Sequence, residues 1–320
     1  MENILLIWEE EGEGAALLGV YGSAPVLTLP ETIEGRPLVK IGRYCFAPNG
    51  REPEGACRTF LGDPALTDAE HRICGNFIKE VSLPQSVRVL DNAAFYNCRE
   101  LTRLSVGTGI EGIGSDLFTN CWELRELTVR AGALEGSTLK KILAVISSDL
   151  TVSFCPENRV AGRLFYPEYF ESMDENTPAH IFNYSISGQG YRYRQCFAAD
   201  GAVGYGDYDK VFPVALPGET AETLCRVAMN RLIFPVSLSA EAESRYRDYL
   251  SVHQEKLAAI LCAERNGEGM AALAEKGLLT RETLLRLAEQ AAEKEWNEGA
   301  VLGRELIHRL FGARKKRYEF

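Results

Sequence analysis

Ile78-Lys-Glu-Val-Ser-Leu83, Leu101-Thr-Arg-Leu-Ser-Val106 and Leu124-Arg-Glu-Leu-Thr-Val129 are one hexapeptide written three times at an offset of 23 residues. The agreement runs past the hexapeptide. Phe95 corresponds to Phe118, Asn97-Cys98 to Asn120-Cys121 and Glu100 to Glu123, all at the same offset. A looser, earlier copy runs from Val26-Leu-Thr-Leu-Pro30 to Ile41-Gly-Arg-Tyr-Cys-Phe46. Its step from Ile41 to Phe46 recurs as Leu90 to Phe95 and Ile113 to Phe118. Leu104-Ser-Val106 alternates with period two, which predicts a strand with one buried face. Stacked copies then form a parallel ladder whose turns send Phe and Cys into the core, because one repeat alone cannot bury that face. In-register stacking predicts an outward column of Thr28, Ser82, Ser105 and Thr128. It places Glu80, Arg103 and Glu126 in the next column. At ~4.8 Å between strands, Arg103 reaches both acids. Cys98 and Cys121 are predicted to pack as small core hydrophobes.

The pattern resembles the BspA-type bacterial leucine-rich repeats, whose units read roughly I-x-x-V-x-L-P-x-S-V-x-x-I-G-x-x-A-F-x-x-C-x-x-L. Val81, Leu83, Pro84, Ser86, Val87, Ala94, Phe95, Cys98 and Leu101 stand in the corresponding places. Leu90-Asp91 replaces I-G, which returns as Ile113-Gly114. The resemblance spans residues 26–130, and residues 1–25 look like the hairpin that caps such arrays. It implies a parallel β array that contacts other proteins, in a family whose members are often secreted or surface-attached.

Three parts follow from the rest of the chain, a mixed α and β class. Residues 1–153 form the capped leucine-rich-repeat array, interrupted at 48–77 by a loop-like, Pro- and Gly-rich insertion. Residues 154–217 form an aromatic, β-rich connector holding 7 of the 13 tyrosines. Residues 218–320 form an all-α region of helical hairpins. Thr220 to Ile233 has apolar residues at helical spacing and stops before Pro235. Ser239 caps a long helix reaching about Arg265. A helix ending at Gly277, then Leu278-Leu279-Thr280 and a longer partner, resembles helix-hairpin arrays of the ankyrin kind. A last helix ends near Phe311, before the basic tail Arg314-Lys-Lys-Arg317.

Composition narrows the function classes. The 320 residues suit about two domains of ~150 residues. No apolar run approaches the ~20 residues of a membrane span. The net charge of −10 sits in residues 1–240, which hold 31 acids and 21 bases. Such a body repels phosphate backbones and anionic lipid heads, so neither nucleic acid nor membrane is an expected partner. The start, MENILLIWEEEGEG, has neither the length nor the flanking charge of a signal peptide. Nine cysteines, an odd number with no C-x-x-C pair, fit free thiols in a reducing cytoplasm.

Little in the sequence carries catalysis. Four scattered histidines make no metal cluster, and Cys57, His71 and Cys74 lack the paired spacing of a zinc site. Asp174, Glu175, Asp207 and Asp209 read as solvated loop carboxylates rather than an acid–base pair. No cofactor, metal or catalytic residue is expected. Tyr191-Arg192-Tyr193-Arg194 is the sharpest oddity. Read as a strand, it sends Tyr191 and Tyr193 to one face and Arg192 and Arg194 to the other, joining array to helices. The expected function is a non-enzymatic scaffold for a protein or peptide partner. Glu80, Ser82, Arg103, Ser105, Glu126 and Thr128 form its candidate surface. The alternative is a small-ligand or enzyme site at Tyr191–Arg194 in the connector.

Overall fold

Each repeat places one short strand in each of two sheets, and the side chains that alternate inward form the core between them. The computed structural model describes residues 3–176 and 180–312, and the chain divides into two units, Met1–Gly204 and Tyr205–Phe320. Residues 177–179 of the connector and the basic run 314–317 lie outside the described residues.

In the first unit, β1 (Ile4–Glu11) and β2 (Gly14–Tyr21) form the expected antiparallel hairpin. β3 (Val26–Thr28), β4 (Thr32–Ile33) and β5 (Arg36–Ile41) make the first repeat. β6 (Cys57–Leu61) lies inside the insertion and pairs antiparallel with β1. The later repeats supply β7 (Glu80–Ser82), β8 (Val89–Leu90), β9 (Arg103–Val106), β10 (Gly112–Ile113) and β11 (Glu126–Val129). A short α1 (Leu139–Leu143) precedes β12 (Leu150–Phe154) and β13 (Gly162–Tyr166). One sheet runs β10-β8-β5-β2-β1-β6 and the other β13-β12-β11-β9-β7-β3. β14 (Phe170–Asn176) and β15 (Ile181–Ser187) form a separate antiparallel ribbon.

The period of 23 becomes register. Glu80 pairs with Arg103 and Arg103 with Glu126, while Ser82, Ser105 and Thr128 align beside them. Val81, Leu83, Leu104, Val106, Leu127 and Val129 point inward and are almost fully buried, each worth roughly 1.5–3 kcal/mol. The turns stack as well. The Phe46 and Phe95 rings lie 5.1 Å apart and the Phe95 and Phe118 rings 5.6 Å apart, both nearly parallel. The Cys98 thiol donates to the Phe46 carbonyl at 3.2 Å, and the Cys121 thiol to the Phe95 carbonyl at 3.0 Å. Both cysteines are core residues, as the repeat requires.

The insertion departs from its loop-like reading. β6 extends the N-terminal sheet, with Trp8 Nε1 donating to Thr59 Oγ1 at 2.9 Å. Arg72 reaches back into the first turn and donates to the carbonyls of Leu18 at 3.1 Å, Cys45 at 3.0 Å and Gly50. A Cβ on Gly50 would meet the Tyr44 carbonyl at 2.3 Å and Arg72 at 2.5 Å, so only glycine leaves room for the guanidinium.

The array also reaches past residue 153, because β13 pairs antiparallel with β12 and continues the same sheet. The helical unit starts earlier than 218. α2 (Gly190–Tyr193) belongs to the first unit, and α3 (Tyr205–Ala215) opens the second. Then come α4 (Ala221–Ile233), α5 (Ala240–Val252), α6 (Gln254–Ala263), α7 (Gly267–Glu275), α8 (Arg281–Glu293) and α9 (Asn297–Phe311). The side chain of Ser239 caps its helix as expected, and those of Thr220 and Thr280 cap theirs in the same way. The long helix predicted from Ser239 is broken at His253, which ends α5 with φ −112° and ψ 33°. Gln254 then bonds the carbonyls of Leu250 and Leu278, both at 2.9 Å. A second repeat emerges here. Arg265 and Glu295, 30 residues apart, both adopt positive φ, and the N–H groups that follow them bond back to Leu261 and Ala291.

Candidate interaction surface

The outward side of the second sheet carries two rows. The first reads Val26, Glu80, Arg103, Glu126, Thr151 and Phe165 across the six strands, with Phe165 at its end buried. The second reads Thr28, Ser82, Ser105, Thr128, Ser153 and Arg163. All six sequence-predicted surface residues therefore share this face. Arg103 donates to Glu126 at 2.8 Å and to Glu80 at 3.0 Å. The Glu126 hydrogen bond, with Glu80 adding charge, holds the Arg103 guanidinium above its ordinary pKa against some burial. Its side chain is 45% exposed, so each pair is worth at most about 1 kcal/mol.

Two arginines that sequence reasoning passed over organise the hydroxyl row. Arg130 donates to Ser105 Oγ at 3.0 Å and to the Leu83 carbonyl, and Arg163 donates to Ser153 Oγ at 3.0 Å. Burial lowers the Arg130 pKa, against the pull of Glu31. Arg130 lies immediately after the third hexapeptide, outside the repeating positions that drew attention to the face. The face thus offers aligned hydroxyls beside alternating charge, a pattern suited to hydrogen bonds and ion pairs with a polypeptide.

The connector residues separate. Residues 190–193 form a helical turn rather than a strand, so alternation does not sort them. Tyr191 and Arg192 are exposed, and Tyr193 and Arg194 are buried. Gly190 opens the turn in close contact with the Pro167 carbonyl, which a Cβ there would meet at 2.0 Å. Arg194 Nε donates to the Ile146 carbonyl at 2.9 Å, and Nη2 to the Ser148 carbonyl at 2.7 Å. Nη1 donates to Pro167 and, at 3.1 Å, to Gly190. These partners are carbonyls of the first unit, not the carboxylates expected for a seam between array and helices. The guanidinium also lies 5.1 Å from the Tyr169 ring. Tyr191 and Arg192 border an open cleft of about 600 Å³ with Ile186 and Gln195, and no acid lines it.

The remaining candidates disperse too. Asp209 is buried rather than solvated. It accepts from Arg231 Nε at 2.7 Å, from Nη2 at 2.9 Å and from the Tyr246 hydroxyl at 2.8 Å. Burial lowers the Arg231 pKa, and the Asp209 hydrogen bonds and charge outweigh it. This is a structural ion pair in the helical unit. Asp207 pairs with Lys210 on the surface at 2.8 Å, and Glu175 meets His180 at 2.8 Å. Among the described residues, no group of three His, Cys, Asp or Glu could hold a metal ion. No helix among them is long and apolar enough to cross a membrane.

The profile of the BspA type leucine rich repeat region matches residues 72–140, in six copies. The matched segment holds β7 to β11, the core of both rows and of the Phe stack. Among solved structures, the crystal structure of a T. pallidum leucine-rich-repeat protein is similar at 16% identity. That match covers 38% of this chain and 67% of that one, with a TM-score of 0.22. No curated protein matches the chain. The N-terminal region is a parallel β solenoid consistent with leucine-rich repeats, and the C-terminal region is a set of helices.

Proposed function

We propose that this chain is a non-enzymatic, cytoplasmic scaffold that docks a protein or peptide on Glu80, Ser82, Arg103, Ser105, Glu126 and Thr128. The carrying observation is the pair of aligned rows across six strands, with charge in one and hydroxyls in the other. Leucine-rich arrays generally serve protein contacts through such extended surfaces. The acidic body disfavours nucleic acid, and nine free thiols suit a reducing compartment. We read α6 to α9 as ankyrin-like hairpins, a second binding scaffold, on the turn repeat 30 residues apart at Arg265 and Glu295. The competing small-ligand or enzyme site at Tyr191, Arg192, Tyr193 and Arg194 has less support. Its two buried members are packing elements, and its two exposed ones face an acid-free cleft.

The test is affinity capture from native lysate with the full chain and with the Arg103→Glu/Ser105→Trp variant, read by mass spectrometry. A partner lost by the variant, with melting unchanged, supports the assignment. Equal capture by both chains overturns it.

A further inference from the structure

The turn ladder has a direction. Ala93 N–H donates to the Ser115 carbonyl at 2.9 Å, Phe95 N–H to Leu117 at 3.2 Å and Asn97 N–H to Thr119 at 2.9 Å. This turn therefore gives three alternate N–H groups to the turn that follows it, and the first turn gives two, from Tyr44 and Phe46, because Pro48 stands at its third position. The corresponding donors of the last turn, 23 residues on, are Asp116, Phe118 and Asn120. Among the described residues, no acceptor stands opposite these three N–H groups. They border a cleft of about 540 Å³ between the 115–121 turn and the 145–148 loop. Phe118 ends the ring stack there, and Val145 and Trp122, both substantially exposed, add apolar patches to a lining that is otherwise mostly polar. Asn120 Nδ2 donates to Asn97 Oδ1 at 2.6 Å, which leaves its own Oδ1 for the next donor.

The opposite end of the ladder is closed. Its outward carbonyls are those of Arg43, Cys45 and Ala47. Cys45 is bonded by Arg72 of the insertion at 3.0 Å, and Ala47 by the Gly50 N–H at 3.1 Å. A second copy stacking head to tail would have to present two carbonyls, those of Cys45 and Ala47, that are already bonded, so self-stacking is disfavoured at the open end. Unpaired backbone donors beside the apolar patches of Phe118, Trp122 and Val145 fit an acceptor chain that also carries an apolar side chain. Three donors at every second residue match the alternate carbonyls of an extended backbone, not a compact anion.

We propose that this open end of the turn ladder docks a peptide segment of a partner protein. The segment lays alternate carbonyls on Asp116, Phe118 and Asn120 and an apolar side chain against Phe118. The best-fitting sequence repeats the chain's own Phe-x-Asn spacing, as in Phe95 to Asn97 and Phe118 to Asn120. The site is separate from the sheet face, and its failure would leave the assignment of that face standing.

The test pans a phage-displayed library of random dodecapeptides against the full chain. Selected peptides are synthesised and followed by amide hydrogen exchange. At about ten times its Kd, a bound peptide slows exchange at Asp116, Phe118 and Asn120 roughly tenfold. Ser147→Trp and Val145→Trp, both at exposed positions on the facing loop, should abolish this protection while the melting temperature holds. Protection of Arg103 and Ser105 instead, protection surviving both blocked variants, or no selected peptide overturns the proposal.

Discussion

Arg194→Met removes a buried cation and keeps most of its apolar stem. Three carbonyls outside its own turn, those of Ile146, Ser148 and Pro167, then lose their donor in a site where Arg194 is 3% exposed. Each buried acceptor left unmade costs ~1–3 kcal/mol. Relaxation and water entry recover part of that, so the expected net loss is about 3–5 kcal/mol. For a unit of 204 residues this lowers the midpoint by at least about 6 °C, at ~2–4 °C per kcal/mol. Arg194→Lys keeps the charge but cannot fan out to three carbonyls, so it should fall between wild type and Met. The assay is a thermal melt with hydrogen exchange at the Tyr169 N–H, which bonds the Ser147 carbonyl at 3.0 Å within the same loop. Faster exchange there accompanies the lower midpoint. A midpoint within about 2 °C of wild type in the Met variant would refute the reasoning, since three stranded buried carbonyls cannot be that cheap.

Thiol labelling without denaturant should modify exposed Cys57 first and leave Cys98 and Cys121 untouched. The Cys121 contact and burial push the Cys98 thiol far up, so almost no thiolate is available at neutral pH. Arg103→Ala should lower stability by no more than about 2 kcal/mol, two exposed pairs at most, and the difference should shrink in 1 M salt. Burial pushes the Tyr205 hydroxyl from 10 up to about 12. The unfolded chain therefore releases this proton first, and stability present below pH 10 is lost as pH rises toward 12. The loss is up to about 2–3 kcal/mol, and urea melts of Tyr205→Phe across that window should show a shallower decline.

The register of the array was legible because a parallel stack repeats one local decision. Period two chooses the inward side chain, and period 23 aligns each strand with the next, so Glu80, Arg103 and Glu126 could be placed in one row from spacing alone. Phe95 and Cys98 could be placed in the core for the same reason. The non-repeating stretches resisted such reading. Nothing local in Tyr191-Arg192-Tyr193-Arg194 announces a helical turn. The turn sits where Gly190 comes close to the Pro167 carbonyl and where carbonyls 27 to 48 residues away collect around Arg194.

The same division separates the rest of the molecule. By itself the sequence determined the repeat period, the inward and outward faces, the buried thiols and the helix start capped by Ser239, since each follows from neighbours a few residues apart or from an exact recurrence. Tertiary structure alone decided that Arg72 closes one end of the turn ladder, that β6 joins the cap, and that Asp209 is buried against Arg231 rather than solvated. It also decided that Asp116, Phe118 and Asn120 keep unanswered N–H groups. In the first three cases a polar or charged group takes its partner from a distant segment, and in the last no segment of the chain comes near enough to supply one. Sequence patterns record which side chains must leave water. Only the folded chain shows which backbone atoms they meet there.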